Sequence, residues 1–138
     1  MNRILKGFFK LARLDKPIGI WLIFWPAFAT LLATTQGQDF AKNLFIIIIG
    51  SIVVRSLGCV INDIFDRNID SKVARTKDRP IAAGHISVFE ALIFFLFLSF
   101  ITTLLLINTN FQTLLISLCF GLLIIIYPLM KRIFWGPQ

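Results

Sequence analysis

The chain has 138 residues, of which 57% are hydrophobic and only 15% are charged, and its formal net charge is +7. A soluble domain of this length needs a more polar surface, so the composition argues against a soluble globular protein. The apolar residues form long blocks, and the Lys and Arg residues lie at the ends of those blocks. This arrangement is typical of the positive-inside bias of membrane proteins, so we predict a lipid bilayer and no nucleic acid as partner.

The amino-terminal segment 1–16 interleaves basic and apolar residues, which predicts an amphipathic helix on the membrane surface with its basic side toward anionic headgroups. Pro17 ends this helix, because proline disfavours helical geometry in the residue before it. The first apolar block follows Lys16 and has no small-residue cleavage site. We therefore expect it to remain as a span and not to be removed as a signal peptide.

Four apolar blocks each approach the length of about 20 residues that crosses a bilayer core. We predict an all-α fold, in which the whole chain (1–138) is a single membrane domain built as a polytopic bundle of four transmembrane helices. Ser87 and Glu90 have the spacing of a capping box at the start of the third span. The predicted spans cover 18–33, 44–61, 88–107 and 111–127.

Lys and Arg residues are unevenly distributed between the two ends of these spans. The amino end, the loop between the second and third spans and the carboxyl end are rich in them, whereas the linker 34–42 holds only Lys42 and the turn 108–110 holds none. We therefore predict that both termini of the chain are cytoplasmic. The acidic residues after the second span then share one membrane face with the segment 127–132.

The end of the second span carries a stripe of polar residues. Asn62, Asp66 and Asp70 are spaced i, i+4 and i+8, so a helix places them on one face, and Asp63 lies beside them. Carboxylates crowded at the end of a span repel one another and are costly to desolvate, and a divalent cation relieves both problems. Oxygen ligands favour Mg²⁺ or Ca²⁺ over zinc, and the residue order lacks the pattern of a calcium loop.

Two cations downstream of this stripe, Arg75 and Arg79, suggest an anionic ligand for the metal. Mg²⁺ usually bridges a few carboxylates to substrate phosphates. We therefore interpret the region as a Mg²⁺-diphosphate site. The alternative is a solvated helix end with mixed charges.

Arg55 lies inside the second span, seven residues before Asn62 and therefore on the same helix face. The helical rise places it roughly 10 Å deeper along the axis. An arginine within a membrane is costly and usually faces a cavity or a partner. We interpret Arg55 as a counter-ion for an anionic substrate group below the metal, with structural pairing to a carboxylate of a neighbouring helix as the alternative.

Tyr127 and Lys131 are spaced i, i+4 after the fourth span, and Arg132 is adjacent. Such cations by themselves are ordinary for a cytoplasmic helix end. Their predicted position on the same membrane face as the aspartates leads to the hypothesis that they bind phosphate.

Combined motifs resemble a known family. R-x-x-G-C-x-x-N-D-x-x-D-R-x-x-D over 55–70, followed by R-T-x-x-R-P over 75–80, resembles the first aspartate-rich motif of the UbiA superfamily of intramembrane aromatic prenyltransferases. R-L-D-K-P-I-G over 13–19 and Y-P-L-M-K-R over 127–132 are similar to the subgroup that uses 4-hydroxybenzoate in ubiquinone synthesis. The resemblance covers nearly the whole chain.

The resemblance implies an integral membrane enzyme of the bacterial or mitochondrial inner membrane. It implies transfer of a polyprenyl group from polyprenyl diphosphate to the 4-hydroxybenzoate ring carbon ortho to the phenol, with Mg²⁺ assisting the departure of diphosphate. Arg55 is expected to face the pocket for the aromatic acid and, with Asp66 and Asp70, to be catalytic. The Mg²⁺ ligands implied are Asn62, Asp66 and Asp70, supported by Asp63. The phosphate contacts implied are Arg75, Arg79, Tyr127 and Lys131, with Arg132 nearby.

Family members are longer and carry a second aspartate-rich motif in their later half, which this sequence lacks. We therefore expect a fragment, a truncated gene product or one piece of a split enzyme, with little or no activity without a carboxyl-terminal half as partner. Alternatives are a related prenyltransferase with a naphthoate or homogentisate acceptor and a small non-catalytic membrane protein that binds partners or lipid. A CDP-alcohol phosphotransferase is disfavoured, because its D-G-x-x-A-R signature is absent.

Overall fold

The computed structural model describes residues 3–34, 37 and 39–133, and all regular structure in them is α-helical. Three helices are long and apolar enough to cross a membrane, and a fourth apolar helix, Ile18–Thr34, is shorter. The predicted all-α membrane bundle is confirmed for these residues. The helices are α1 (Arg3–Leu11), α2 (Ile18–Thr34), α3 (Asp39–Asp70), α4 (Val88–Ile107) and α5 (Phe111–Ile133).

Helix α3 is the central element and contacts each of the other four helices. Its 32 residues extend beyond the predicted span 44–61 at both ends. The prediction followed the apolar block, but a helix can continue through polar residues beyond it. Asp39 in the first turn and Arg67 in the last turn interact favourably with the helix dipole. For the same reason α5 continues beyond the predicted end at Tyr127. The apolar core against α3 comprises Leu11, Val53, Val60, Ile64, Ile81, Ile86, Ala91 and Leu98.

Helices α4 and α5 expose most of their large apolar side chains. Phe89, Leu96 and Phe100 on α4 are more than half exposed, as are Leu118 and Leu122 on α5. Such a surface is unfavourable in water and suits the hydrocarbon core of a bilayer. The exposed faces of these helices are therefore apolar surfaces that are compatible with the interior of a membrane.

The amino-terminal helix α1 packs onto the bundle through one face and ends earlier than the predicted segment 1–16. Leu11 is fully buried, and the ring of Phe8 lies 5.0 Å from that of Phe94. After Leu11 the chain turns, with the Leu14 amide donating to the Phe9 carbonyl. Arg13 has a φ of 57°, in the left-handed region that residues other than glycine seldom adopt. This turn directs the Arg13 side chain toward α3.

The loop 71–87 folds back over the end of α3 in successive turns. Ile81 and Ile86 enter the core, and Thr76 is buried and donates through its hydroxyl to the Asp70 carbonyl. The polar loop predicted between the second and third spans is therefore also a packing element. Its fold brings Arg79 back to the acidic residues of α3.

The predicted capping box at the start of α4 is confirmed. The Ser87 hydroxyl accepts a hydrogen bond from the Glu90 amide, and the Glu90 carboxylate accepts one from the Ser87 amide at 2.7 Å. Both bonds satisfy amide groups that have no partner within the helix.

Replacing Ser87 by alanine is expected to lower the free energy of unfolding by about 1 kcal/mol, because the N-cap acceptor is lost. Thermal unfolding in detergent, followed by circular dichroism, measures the effect. Ser71→Ala is the matched control, because the exposed Ser71 hydroxyl donates only to a carbonyl three residues earlier. Equal unfolding temperatures for the two variants would contradict a stabilising role for the cap.

Candidate functional site

A network of ion pairs lies where the acidic end of α3 meets the turn after α1 and the loop 71–87. The Asp63 side chain is 1% exposed, accepts a hydrogen bond from Arg13 at 3.0 Å and forms an ion pair with Arg79 at 3.1 Å. Arg79 also donates to Asp70 at 2.6 Å. Since a buried carboxylate requires compensation, the two arginines offset part of the cost of burying Asp63.

This network borders a cavity of about 600 Å³ at the same end of the bundle. Four cations line it and Asp63 is the one carboxylate in its lining, so the cavity attracts anions. Its α5 wall is mainly apolar. The lining residues are Arg13, Lys16, Arg55, Gly58, Cys59, Asn62, Asp63, Arg79, Phe120, Leu123, Ile124, Tyr127 and Pro128.

The structure brings together five of the site residues predicted from the sequence, from α3, the following loop and α5. These five line the one cavity and are Arg55, Asn62, Asp63, Arg79 and Tyr127. A single pocket thus combines the deep arginine, part of the polar stripe and two of the predicted phosphate contacts.

The other predicted site residues lie elsewhere. Asp66 and Asp70 are buried on α3 but do not line the cavity, and Arg75 is exposed in the loop. The side chains of Lys131 and Arg132 lie outside the described part of the structure. Among the described residues, Arg79 is therefore placed to meet a ligand in the cavity and Arg75 is not.

The donor set at the end of α3 suits a hard cation, although the described residues contain no group of three or more His, Cys, Asp or Glu placed to hold a metal. The donors on this face are the amide oxygen of Asn62 and carboxylate oxygens. Mg²⁺ is commonly held by only one or two carboxylates, with waters and substrate phosphates completing its coordination. The oxygen donors of this face are therefore of the type that Mg²⁺ binds.

Arg55 forms no ion pair with any described carboxylate. Its Nε atom is buried and has no hydrogen-bond partner. The structural pairing considered as an alternative is therefore not found in the described part of the chain. A buried arginine that lines a cavity and forms no ion pair with a described carboxylate is suited to binding an anionic ligand.

Sequence reasoning missed two cations of this cavity, Arg13 and Lys16. Both belong to the segment predicted to face anionic headgroups, and Lys16 remains exposed at the cavity rim. The available signal was the motif R-L-D-K-P-I-G over 13–19, which contains both residues.

These features define a class: a helical membrane protein with a cation-lined cavity at one end of its bundle. The model of the UbiA prenyltransferase family matches residues 23–138, and the chain belongs to this family. The resemblance stated from the motifs is thereby confirmed.

Several curated relatives are named 4-hydroxybenzoate octaprenyltransferase. The chain is 46% identical over 131 residues to that of Ectopseudomonas mendocina (strain ymp) and 47% identical over 133 residues to that of Pseudomonas aeruginosa (strain LESB58). These matches cover 95% of this chain and 44% of each relative. The match to that of Shewanella loihica is 41% identical over 134 residues, covering 97% of this chain and 47% of the relative.

The chain therefore spans somewhat less than half the length of these relatives. No solved structure matches it. Together, the family and the apolar helices identify an integral membrane protein of a prenyltransferase family.

Proposed function

We propose that the chain forms part of an enzyme that transfers a polyprenyl group from polyprenyl diphosphate to the ring of 4-hydroxybenzoate in ubiquinone biosynthesis, with Mg²⁺ as cofactor. The observation that carries the proposal is the cavity, in which a deep arginine and the end of the polar stripe lie beside an apolar wall. The names of the relatives support the choice of substrates.

The two charged ends of the cavity suit two different anions. We assign Arg79 and Tyr127 to diphosphate, with Lys131 and Arg132 as further contacts, whereas Arg75, which is exposed outside the cavity, is not assigned to it. Arg55 lies deeper on α3 and is assigned to the carboxylate of the aromatic acid. Binding the two anions at separate positions would hold the aromatic ring and the prenyl carbon close to each other.

Asn62, Asp66 and Asp70 are the proposed Mg²⁺ ligands, with Asp63 supporting the site through Arg13 and Arg79. Bound there, Mg²⁺ would neutralise charge that develops on the departing diphosphate. Asp70 is held by Arg79 in this structure, so its role as ligand requires Arg79 to exchange Asp70 for phosphate.

The apolar side chains of α5 have their own part in the proposed reaction. Phe120, Leu123 and Ile124 line the cavity opposite α3. They would keep water from the electron-poor prenyl carbon after its bond to the diphosphate oxygen breaks. The ring carbon then forms the new carbon–carbon bond, and its proton passes to a base, for which the released diphosphate anion is available.

We also propose that the protein lies in a bacterial or mitochondrial inner membrane with both ends of this chain cytoplasmic. The uneven distribution of Lys and Arg supports this orientation. It places the cavity at the cytoplasmic end of the bundle.

The test is a panel of acceptors with a full-length version of the protein, extended to the length of its relatives. We expect Mg²⁺-dependent prenylation of 4-hydroxybenzoate and much slower prenylation of naphthoate and homogentisate acceptors. A preference for another acceptor would contradict 4-hydroxybenzoate as the substrate but would still support a prenyltransferase. No transfer, together with no protection from proteolysis by a polyprenyl diphosphate analogue and Mg²⁺, would favour a non-catalytic membrane protein.

The 138-residue chain alone is expected to transfer little or no prenyl group, because its relatives are more than twice as long. Assay of the purified chain in lipid nanodiscs beside the full-length version measures the difference. Equal rates for the two proteins would show that this chain contains the whole catalytic site.

A further inference from the structure

Gly19 lies in the first turn of α2, against the guanidinium group of Arg55 on α3. A Cβ atom added at Gly19 would lie 2.7 Å from Cζ of Arg55 and 2.8 Å from Nη2, and it would also overlap Nε. Non-bonded carbon atoms normally stay about 3.5–4.0 Å apart. A side chain as small as that of alanine is therefore incompatible with this position of the guanidinium.

The backbone of α2 does not itself require glycine at this position. Gly19 is helical, and the glycines with positive φ in the described chain are Gly37 and Gly84. Within a helix, glycine is less favourable than alanine by about 1 kcal/mol. The space needed by Arg55 is thus the physical reason that the structure offers for a glycine here.

The guanidinium held in this space has few other restraints. Its Nε is buried without a hydrogen-bond partner, and no described carboxylate forms an ion pair with it. The close approach of the α2 backbone at Gly19 is therefore the main restraint on this group that the described structure shows.

We propose that Gly19 is a positioning residue for Arg55, and that its missing side chain sets the depth of the pocket for the aromatic carboxylate. The identity of that ligand rests on the proposed function, whereas the placement of Arg55 by Gly19 does not. An alanine at this position meets the far end of a flexible side chain. The expected response is a displaced guanidinium in a folded protein.

The first experiment follows Arg55 directly and needs no ligand. The chain is labelled with ¹⁵N-arginine in lipid nanodiscs, and the Arg55 Nε signal is assigned by its loss in Arg55→Lys. Gly19→Ala should shift this signal and speed its proton exchange with water. Gly50→Ala is the matched control, because a Cβ at Gly50 of α3 meets nothing within 4 Å. An unchanged Arg55 signal in Gly19→Ala would overturn the proposal, whatever the enzyme's substrates are.

The second experiment measures KM values in the full-length version. Gly19→Ala should raise KM for 4-hydroxybenzoate by about tenfold or more, since small displacements of a binding group are costly, and change KM for polyprenyl diphosphate far less. In an Arg55→Ala background, Gly19→Ala should add nothing. A shifted Arg55 signal with an unchanged acid KM would keep the positioning by Gly19 but contradict the assignment of Arg55 to the aromatic acid. Additive effects in the Arg55→Ala background would refute the coupling between the two residues.

Discussion

Replacing Arg79 by alanine is expected to lower the free energy of unfolding by about 3 kcal/mol, a larger loss than for any other cation of the loop. Arg79 compensates Asp63 and Asp70, and both carboxylates are buried. Removing one partner of a buried ion pair costs about 3–5 kcal/mol, because the remaining charge is uncompensated. The Arg79 side chain is 21% exposed, so water screens part of the interaction and the lower value is expected.

Unfolding of the chain in mixed micelles by a denaturing detergent measures this loss. Lys77→Ala is the matched control, because Lys77 is an exposed cation two residues earlier in the same loop. The loss should shrink when Arg79→Ala is made in a chain that already carries Asp63→Asn and Asp70→Asn. If Arg79→Ala were as stable as Lys77→Ala, the network would have no stabilising role.

Replacing Arg55 by alanine should raise KM for 4-hydroxybenzoate in the full-length version by roughly 10- to 100-fold. This range corresponds to the loss of about 1.5–3 kcal/mol that a hydrogen bond to a charged group contributes. KM for polyprenyl diphosphate should change much less, because Arg55 lies deeper on α3 than the residues assigned to phosphate.

Steady-state kinetics with each substrate varied in turn separates the two effects. Lys72→Ala provides the matched control, since Lys72 is an exposed cation just after α3 and is outside the cavity. Similar losses for both substrates in Arg55→Ala would contradict the assignment of Arg55 to the acid pocket.

Arg79 and Arg75 show why the site was only partly predictable. Both follow the acidic stripe in one motif, and the sequence treats them alike. In the structure, the turns of the loop return Arg79 to Asp63 and Asp70, while Arg75 remains exposed. The difference depends on the burial of Ile81 and Ile86, which packs the loop against α3. The linear motif therefore does not predict which of the two arginines the loop brings back to α3.

The sequence by itself determined the helices, their membrane character and the alignment of the polar stripe on α3. Those properties follow from long apolar blocks, from capping at Ser87 and from i, i+4 spacing, all of which act between near neighbours in the chain. The same local rule placed Arg55 on the face of Asn62, and both line the cavity.

Only the tertiary structure decided which groups complete this face. Arg13 reaches Asp63 across 50 positions in sequence, and Gly19 meets Arg55 from a different helix. The Arg13 contact depends on a left-handed turn after α1, and the Gly19 contact depends on the close approach of α2 and α3. Both contacts arise from the packing of segments that are distant in the chain. The spacing of residues within one helix does not predict how closely, or at what angle, that helix packs against another.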